Sequence, residues 1–417
     1  MGGTSRLASL VLVASIGATG LAWGAPAASA EASSTFYVSA SGNDALAGTS
    51  PATAWRTLTP VNSRVLAGDT VLLAGGSTFA GPLRLDDQDA GATVGSFGTG
   101  RARILGNSSP GVVGYDVGSV TLRDLDLVGD PAAYDGKSGV DLYSDQPAGE
   151  RISGVSISHL DVRGFKNGIA IGGANPGAGF AHVSVVDTKT IGNRDNGLIT
   201  YGPAFDAASP SYANADVTVS RTTANKNLGN ASDTEHNSGN GIVLGSVDGG
   251  SVTRSSASGN GARCTAPEGP AGIWTYDSRD IRIAHDTATG NRTGGIADGD
   301  GFDLDQNVYD SSLEHNTSSR NDGAGYLVYA GEDSVNHGNV VRWNTSHGDA
   351  RNNSWYGGIT LAGNAHTVTV TANKVDTRTS ASHAPALSIK PGVTHARIKH
   401  NTLMSAAGYR VIDDTRS

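Results

Sequence analysis

The chain is short of cysteine, of charge and of long apolar runs, and each shortage closes off a class of protein. Cys264 is the one cysteine in 417 residues, so no intrachain disulfide can form and stability must come from core burial and backbone ladders. Only 17% of residues are charged, too few for a coiled coil. After the N-terminal stretch, no segment approaches the roughly 18 consecutive apolar residues of a membrane span. Lys and Arg total 30 against 39 for Asp and Glu, a net charge of -9, so the basic face of a nucleic-acid binder is missing. His315, His337, His347 and His366 show no H-x-x-H or H-E-x-x-H spacing, and glycine runs such as GSVDGG lack the Lys-Ser/Thr of a phosphate loop. Zinc and nucleotide sites are therefore not indicated.

What the chain has in quantity is glycine, 58 residues, about twice the usual share of roughly 7%. Hydrophobic residues, 37% of the total, are dispersed in short runs such as TVLLAG, GIAIGG, GIVLGS and GITLAG, the pattern of many short strands and turns, and no Gly-X-Y period suggests collagen. Residues 1–30 carry Arg6, an apolar stretch from Leu7 to Ala22, and Ala28-Ser29-Ala30. They read as a secretory signal peptide, so an exported protein is expected. Residues 31–417 show no linker or shift of composition and read as one domain.

Self-similarity organises that domain. A motif of glycine followed by alternating apolar residues recurs as GVDLY from Gly139, GIAIG from Gly168, GLITY from Gly197 and GIVLG from Gly241. It continues as GIWTY from Gly272, GFDLD from Gly301, GYLVY from Gly325, GITLA from Gly358 and ALSIK from Ala386. Most copies begin 24 to 33 residues apart, and one interval of 44 implies an inserted loop. A second alternating element, as in AHVSVVDTK or HTVTVTANK, lies between copies, and Asn193, Asn227, Asn260, Asn291 and Asn321 each fall just before the next glycine strand. Their amides are expected to stack at a bend. The whole is an all-β, single-stranded right-handed parallel β-helix, with capping turns over 31–110 and regular coils over 111–417.

Strand periodicity then sorts residues by face, because i and i+2 point the same way. With glycine as position zero, positions one and three are core and positions two and four face outward. The outward columns concentrate Trp274, Tyr276, Asp303, Asp305 and Tyr329 on three consecutive coils, where a purely structural stripe would carry mixed small polar residues. Adjacent coils are about 4.8 Å apart, so aromatic rings flank the carboxylates on both sides, which suits a pyranose ring. The segment ADGDGFDLDQN adds Asp298 and Asp300, and the next coil adds Asp322 and Glu332. Carboxylates this close must share a proton or bind a cation.

Two chemistries fit. Asp300, Asp303 and Asp305 can supply the acid and the base or nucleophile of glycosidic hydrolysis, with no cofactor; Asp303 and Asp305 stand about 6.6–6.8 Å apart at Cα, and carboxyl separations of roughly 5–9.5 Å serve both stereochemical outcomes. Alternatively Asp298, Asp300 and Asp303 hold calcium for a polysaccharide lyase or epimerase. A lyase needs a basic side chain, and Lys390 is the only lysine in the outward columns, three coils from Asp303. His236 and Cys264 are weaker candidates, better read as a surface loop histidine and a core thiol.

The repeats and the acidic strand resemble the pectin-lyase-like superfamily over essentially the whole of residues 31–417. The resemblance implies the β-helix and leaves the activity open, since lyases, hydrolases, epimerases, tailspikes and adhesins share that fold. DGDGFD is similar to the NTDGID-like motif of polygalacturonase-type hydrolases, which would place Asp300 and Asp303 in acidic motif positions; NDGAGYLV lacks the paired aspartates expected next, and no GHG segment follows. GFDLD is similar to the DGYDL-like calcium strand of the calcium-dependent pectate lyases of the ninth lyase family, but Leu327 stands where their catalytic lysine would be. The reading that results is an exported hydrolase of a polysaccharide, monomeric rather than trimeric. Asp300, Asp303 and Asp305 do the chemistry, Trp274, Tyr276 and Tyr329 form sugar subsites, and Tyr201, Asp322, Glu332 and Lys390 make further contacts. A non-catalytic glycan-binding adhesin is the rival from another class.

Overall fold

Short alternating strands joined by tight bends wind the chain into a parallel β-helix. The computed structural model describes residues 33–132 and 136–416; the expected signal peptide, residues 1–30, lies outside the described residues. Three parallel sheets run along the solenoid, and each strand pairs with its equivalents on neighbouring coils. One sheet runs from Thr35–Val38 to Arg397–Lys399, a second from Thr78–Ala80 to Thr402–Met404, and a third of 12 strands from Leu83–Leu85 to Ile412–Asp414. That third sheet carries every copy of the glycine motif and is called here the site sheet.

Its register follows the motif without a slip. Ile242 pairs with Ile273, Ile273 with Phe302, Phe302 with Tyr326 and Tyr326 with Ile359, so position one forms a continuous inward column whose members are fully buried. Position three does the same through Leu244, Thr275, Leu304 and Val328. Thr275 is tolerated there because its hydroxyl donates to the Leu244 carbonyl at 2.6 Å. Phe302 and Tyr326 stack at 5.2 Å inside the coil, and the Tyr326 hydroxyl donates to the Asn316 and Thr345 carbonyls. The glycine that opens each strand is required by crowding. A Cβ on Gly272 would stand 2.6 Å from both the Gly301 carbonyl oxygen and the Asn291 amide nitrogen, so no other residue fits without moving the next coil.

The asparagines stack as their positions suggest. The Asn193 N–H donates to Asn227 Oδ1, Asn227 to Asn260, Asn260 to Asn291 and Asn291 to Asn321, at 2.8–3.3 Å. Each Nδ2 turns back to a carbonyl of the preceding coil, as Asn260 does to Ala224 at 2.9 Å. Asp349 takes the next step, accepting from both nitrogens of Asn321 and from the Ser346 hydroxyl. A second ladder, through Thr222, Ser255, Asp286, Asn316, Asn344 and Asn373, lines another bend. It escaped the sequence reading because four residue types share one role. Just before it, one residue per coil takes the left-handed conformation without being glycine: His159, Asp187, Arg221, Arg254, His285, His315 and Trp343, at φ of 47–61°.

Three expectations change. Stacked coils begin by Thr70–Ala74, well before residue 111, because the early strands pair in parallel like the later ones; Trp55, stacked on Phe36 at 4.7 Å, closes the core at that end. Ile412–Asp414 pairs with Leu387–Ile389, so the copy at Ala386 is not the last. The outward face of the site sheet is also largely covered, since Val243, Leu327, Thr360 and Ser388 are all buried.

Asn260→Ala would leave the Asn227 N–H without its acceptor and the Ala224 carbonyl without its donor, each orphaned group costing about 1–3 kcal/mol. Chemical denaturation is expected to give a lower unfolding midpoint by that order; a change under about 0.5 kcal/mol would mean that the ladder does not stabilise the fold.

Candidate active site

Outward positions two and four of three consecutive coils build the floor of a cavity of about 520 Å³. Trp274 pairs in register with Asp303, and Asp303 with Leu327. Tyr276, Asp305 and Tyr329 stand at position four of the same three coils and line the cavity with them. Trp274 is held by its indole N–H, which donates to Asn240 Oδ1 at 3.0 Å, and its ring lies 5.3 Å from that of Tyr276. Tyr276 can lie flat because the coil beneath it has Gly245, where a Cβ would run into the phenol ring.

Loops raise the walls. The bends before the glycine strands contribute Glu268, Asp298, Asn353, Trp355 and Tyr356, and the inserted loop contributes Asn237. They are tied together at Asp298. The Tyr356 hydroxyl donates to Asp298 Oδ1 at 2.7 Å and accepts from the Asp298 N–H at 2.8 Å, while Asp298 Oδ2 accepts from the Gly269 N–H at 2.8 Å. Asn237 joins the same knot by donating to the Gly269 carbonyl at 2.5 Å. Loops from three coils thus converge on one carboxylate.

Asp300 and Asp303 are only 0% and 6% exposed, and both oxygens of Asp300 and Oδ1 of Asp303 have no hydrogen-bond partner. Burial disfavours their charged forms and mutual repulsion adds to it, so both carboxyls are pushed well above the usual carboxylate range. Asp305 is raised to about 8, again first by burial and then by the charge of Asp298. Asp298 is raised by burial too, with its hydrogen bonds from Tyr356 and Gly269 acting in the opposite direction. The cluster therefore titrates as a unit and stays protonated in part at neutral pH. Among the described residues, no group of three or more Asp, Glu, His or Cys side chains is arranged to hold a metal ion. Of the three carboxyls considered for calcium, only Asp298 has both oxygens in hydrogen bonds, from Tyr356 and Gly269.

Of the residues singled out from sequence, Trp274, Tyr276, Asp298, Asp300, Asp303, Asp305 and Tyr329 meet in the cavity. The other four do not. Tyr201 packs across Gly172 toward earlier coils, because Gly172 leaves room for its ring. Asp322 is turned to Arg292 at 3.2 Å. Glu332 is exposed beyond its strand. Lys390 pairs with Asp413 at 3.0 Å and lies over the Trp355 ring, 5.4 Å from its centroid, without lining the cavity. His236 is exposed and bonded to Asp233, and Cys264 is buried. Glu268, Asn353, Trp355 and Tyr356 were missed, since loop residues carry no periodicity; the aromatic pair in NNSWYGG, just before a glycine strand, was the available signal.

Asp305 holds its proton more tightly folded, to about 8, than the 3.8 of a free aspartate, so native stability is favoured at low pH and falls as pH rises from about 4 through about 8. Asp305→Asn is expected to match the wild-type melting temperature at pH 4 and to exceed it at pH 9. An equal difference at both pH values would remove burial of this carboxyl as the cause.

The sequence profile of the family described as "Right handed beta helix region" matches residues 216–375. No curated protein matches the chain. Among solved structures it is similar to a GH136 lacto-N-biosidase from Eubacterium ramulus, at 16% identity and a TM-score of 0.63, over 91% of this chain and 68% of that one. It also aligns with an alginate lyase from Paenibacillus sp. str. FPU-7, at 12% identity and a TM-score of 0.44, over 88% of this chain and 99% of that one. At such identities the likeness is one of fold. The stacked parallel coils and the profile match together make the chain a right-handed parallel β-helix.

Proposed function

We propose that this protein is an exported glycoside hydrolase that cleaves a polysaccharide in the aromatic-walled acidic cavity. The observation that carries the reading is the placement of Asp303 and Asp305 at successive outward positions of one strand, with Trp274 and Tyr276 on the coil before and Tyr329 on the coil after. A glycosidase needs one carboxyl that keeps its proton and one that gives it up, with faces on which a sugar ring can stack. Burial keeps Asp303 protonated and fits it as the general acid that protonates the leaving oxygen. Asp305 releases its proton near pH 8 and is the carboxylate that either takes a proton from the attacking water or attacks the anomeric carbon itself. Asp300, beneath them, adds a further carboxyl whose repulsion supports the proton on Asp303.

A lyase fits these residues less well. Its base would have to be Lys390, which is engaged by Asp413, and Leu327 occupies the outward position next to Asp303. The hydrolytic reading uses the carboxyls themselves and routes no step through calcium. The rival reading, a glycan-binding protein without catalysis, shares the aromatic walls but gives no role to a protonated acid beside a titrating one.

The test is a product assay on neutral and uronic-acid polysaccharides, with calcium or with chelator. New reducing ends without unsaturated sugars are expected, at a rate that climbs as pH approaches 8. Asp303→Asn and Asp305→Asn should each lower that rate by about 10²–10⁴-fold while leaving the circular dichroism spectrum unchanged. Full activity in both variants, or chelator-sensitive unsaturated products, would overturn the assignment.

A further inference from the structure

We infer that the cavity takes an uncharged glycan and excludes sugars bearing carboxylate or sulfate groups. The inference rests on the glycan-site reading above and adds the charge class of the sugar. Glu268, Asp277, Asp298, Asp300, Asp303 and Asp305 all line the cavity, whereas no Lys, Arg or His does. Recognition of a uronate or a sulfate needs a guanidinium, an ammonium or a bound cation facing it. The basic groups near this region point elsewhere. Lys390 is not among the lining residues and has its charge met by Asp413, and Arg292 and Arg351 turn to Asp322 at 3.2 and 3.9 Å. An anionic sugar would therefore meet a wall of acids with no counter-charge.

The unpartnered oxygens point to the positive side of the same argument. Asp300 Oδ1, Asp300 Oδ2 and Asp303 Oδ1 are buried among the lining residues without a donor, a state that is costly unless something supplies one. Sugar hydroxyls do so, and because a hydroxyl also accepts, it can pair with a carboxyl in either protonation state. Trp274, Tyr276 and Tyr329 then provide apolar faces for the ring, and 520 Å³ is within the roughly 300–1,000 Å³ of small-ligand pockets.

Calorimetric titration of the full chain and of Asp305→Asn, which keeps Asp300 and Asp303 and slows cleavage, would decide it. The ligands are neutral hexose, pentose and N-acetylhexosamine oligomers, galacturonate and mannuronate oligomers and a sulfated oligosaccharide. At least one neutral oligomer is expected to bind at least about tenfold more tightly than every charged one and to lose at least about tenfold in affinity in Trp274→Ala. A charged oligomer that binds as tightly as the best neutral one overturns the inference, as does failure of every neutral oligomer to bind. Neutral binding without cleavage by the wild type keeps this inference and ends the hydrolase reading. Uronate binding with hydrolysis does the reverse.

Discussion

Buried amides that tie each coil to the next determine where every outward side chain stands. In a solenoid of strands only two to seven residues long, backbone pairing alone specifies register weakly, and a slip of one residue would turn each strand inside out. The ladder from Asn193 to Asn321 prevents that slip. Its amides bond forward to the next coil's bend and backward to the previous coil's carbonyls, so a displaced coil would orphan several buried polar groups at once. The glycines that follow the ladder tighten the constraint by letting the coils approach where no side chain fits. Register is thus set at the bends and inherited by the strands.

The cavity uses this inheritance. Because Trp274, Asp303 and Leu327 occupy one column, the carboxyl of the middle coil is placed between an aromatic and an apolar neighbour without any residue having to reach for it. Loops supply what the columns cannot, which is enclosure. The knot of Tyr356, Asp298 and Gly269 draws bends from three coils together and raises a wall over the aspartates, and that wall provides the burial that shifts them. Floor and wall therefore have different origins, a rigid sheet and a set of variable bends.

This division explains what could be read in advance. Period-two alternation fixes sidedness, so the core columns and the outward Trp274, Tyr276, Asp303, Asp305 and Tyr329 were legible from spacing alone. Asp298 and Asp300 were legible because they are contiguous with that strand. Tyr201 belongs to the correct column but lies two coils too early, and nothing in the spacing tells along which stretch of a solenoid a cavity will form. Lys390 was placed outward correctly, yet its partner Asp413 lies on a coil that breaks the glycine motif. Tyr356 and Trp355 sit in a bend of no fixed length, and their approach to Asp298, 58 residues away in sequence, is a tertiary fact.

Asp300 shows most clearly that the cluster is not a by-product of the fold. Three coils present Asn167, Asn196 and Asn240 at the residue just before the motif glycine, and these amides bond to one another at 2.8 and 3.0 Å. Ala271 and then Asp300 follow in that column. An alanine at 300, as at 271 on the coil before, would leave no buried polar group to satisfy, and an asparagine would have nearly the same shape with two donors. The aspartate brings none, leaves two oxygens unpartnered and raises the affinity of its neighbours for protons. A solenoid that fills this position with asparagine at three coils and alanine at a fourth has no packing need for a carboxyl here. The change makes sense when the site requires a carboxyl, and it occurs on the one strand whose outward face carries Asp303 and Asp305.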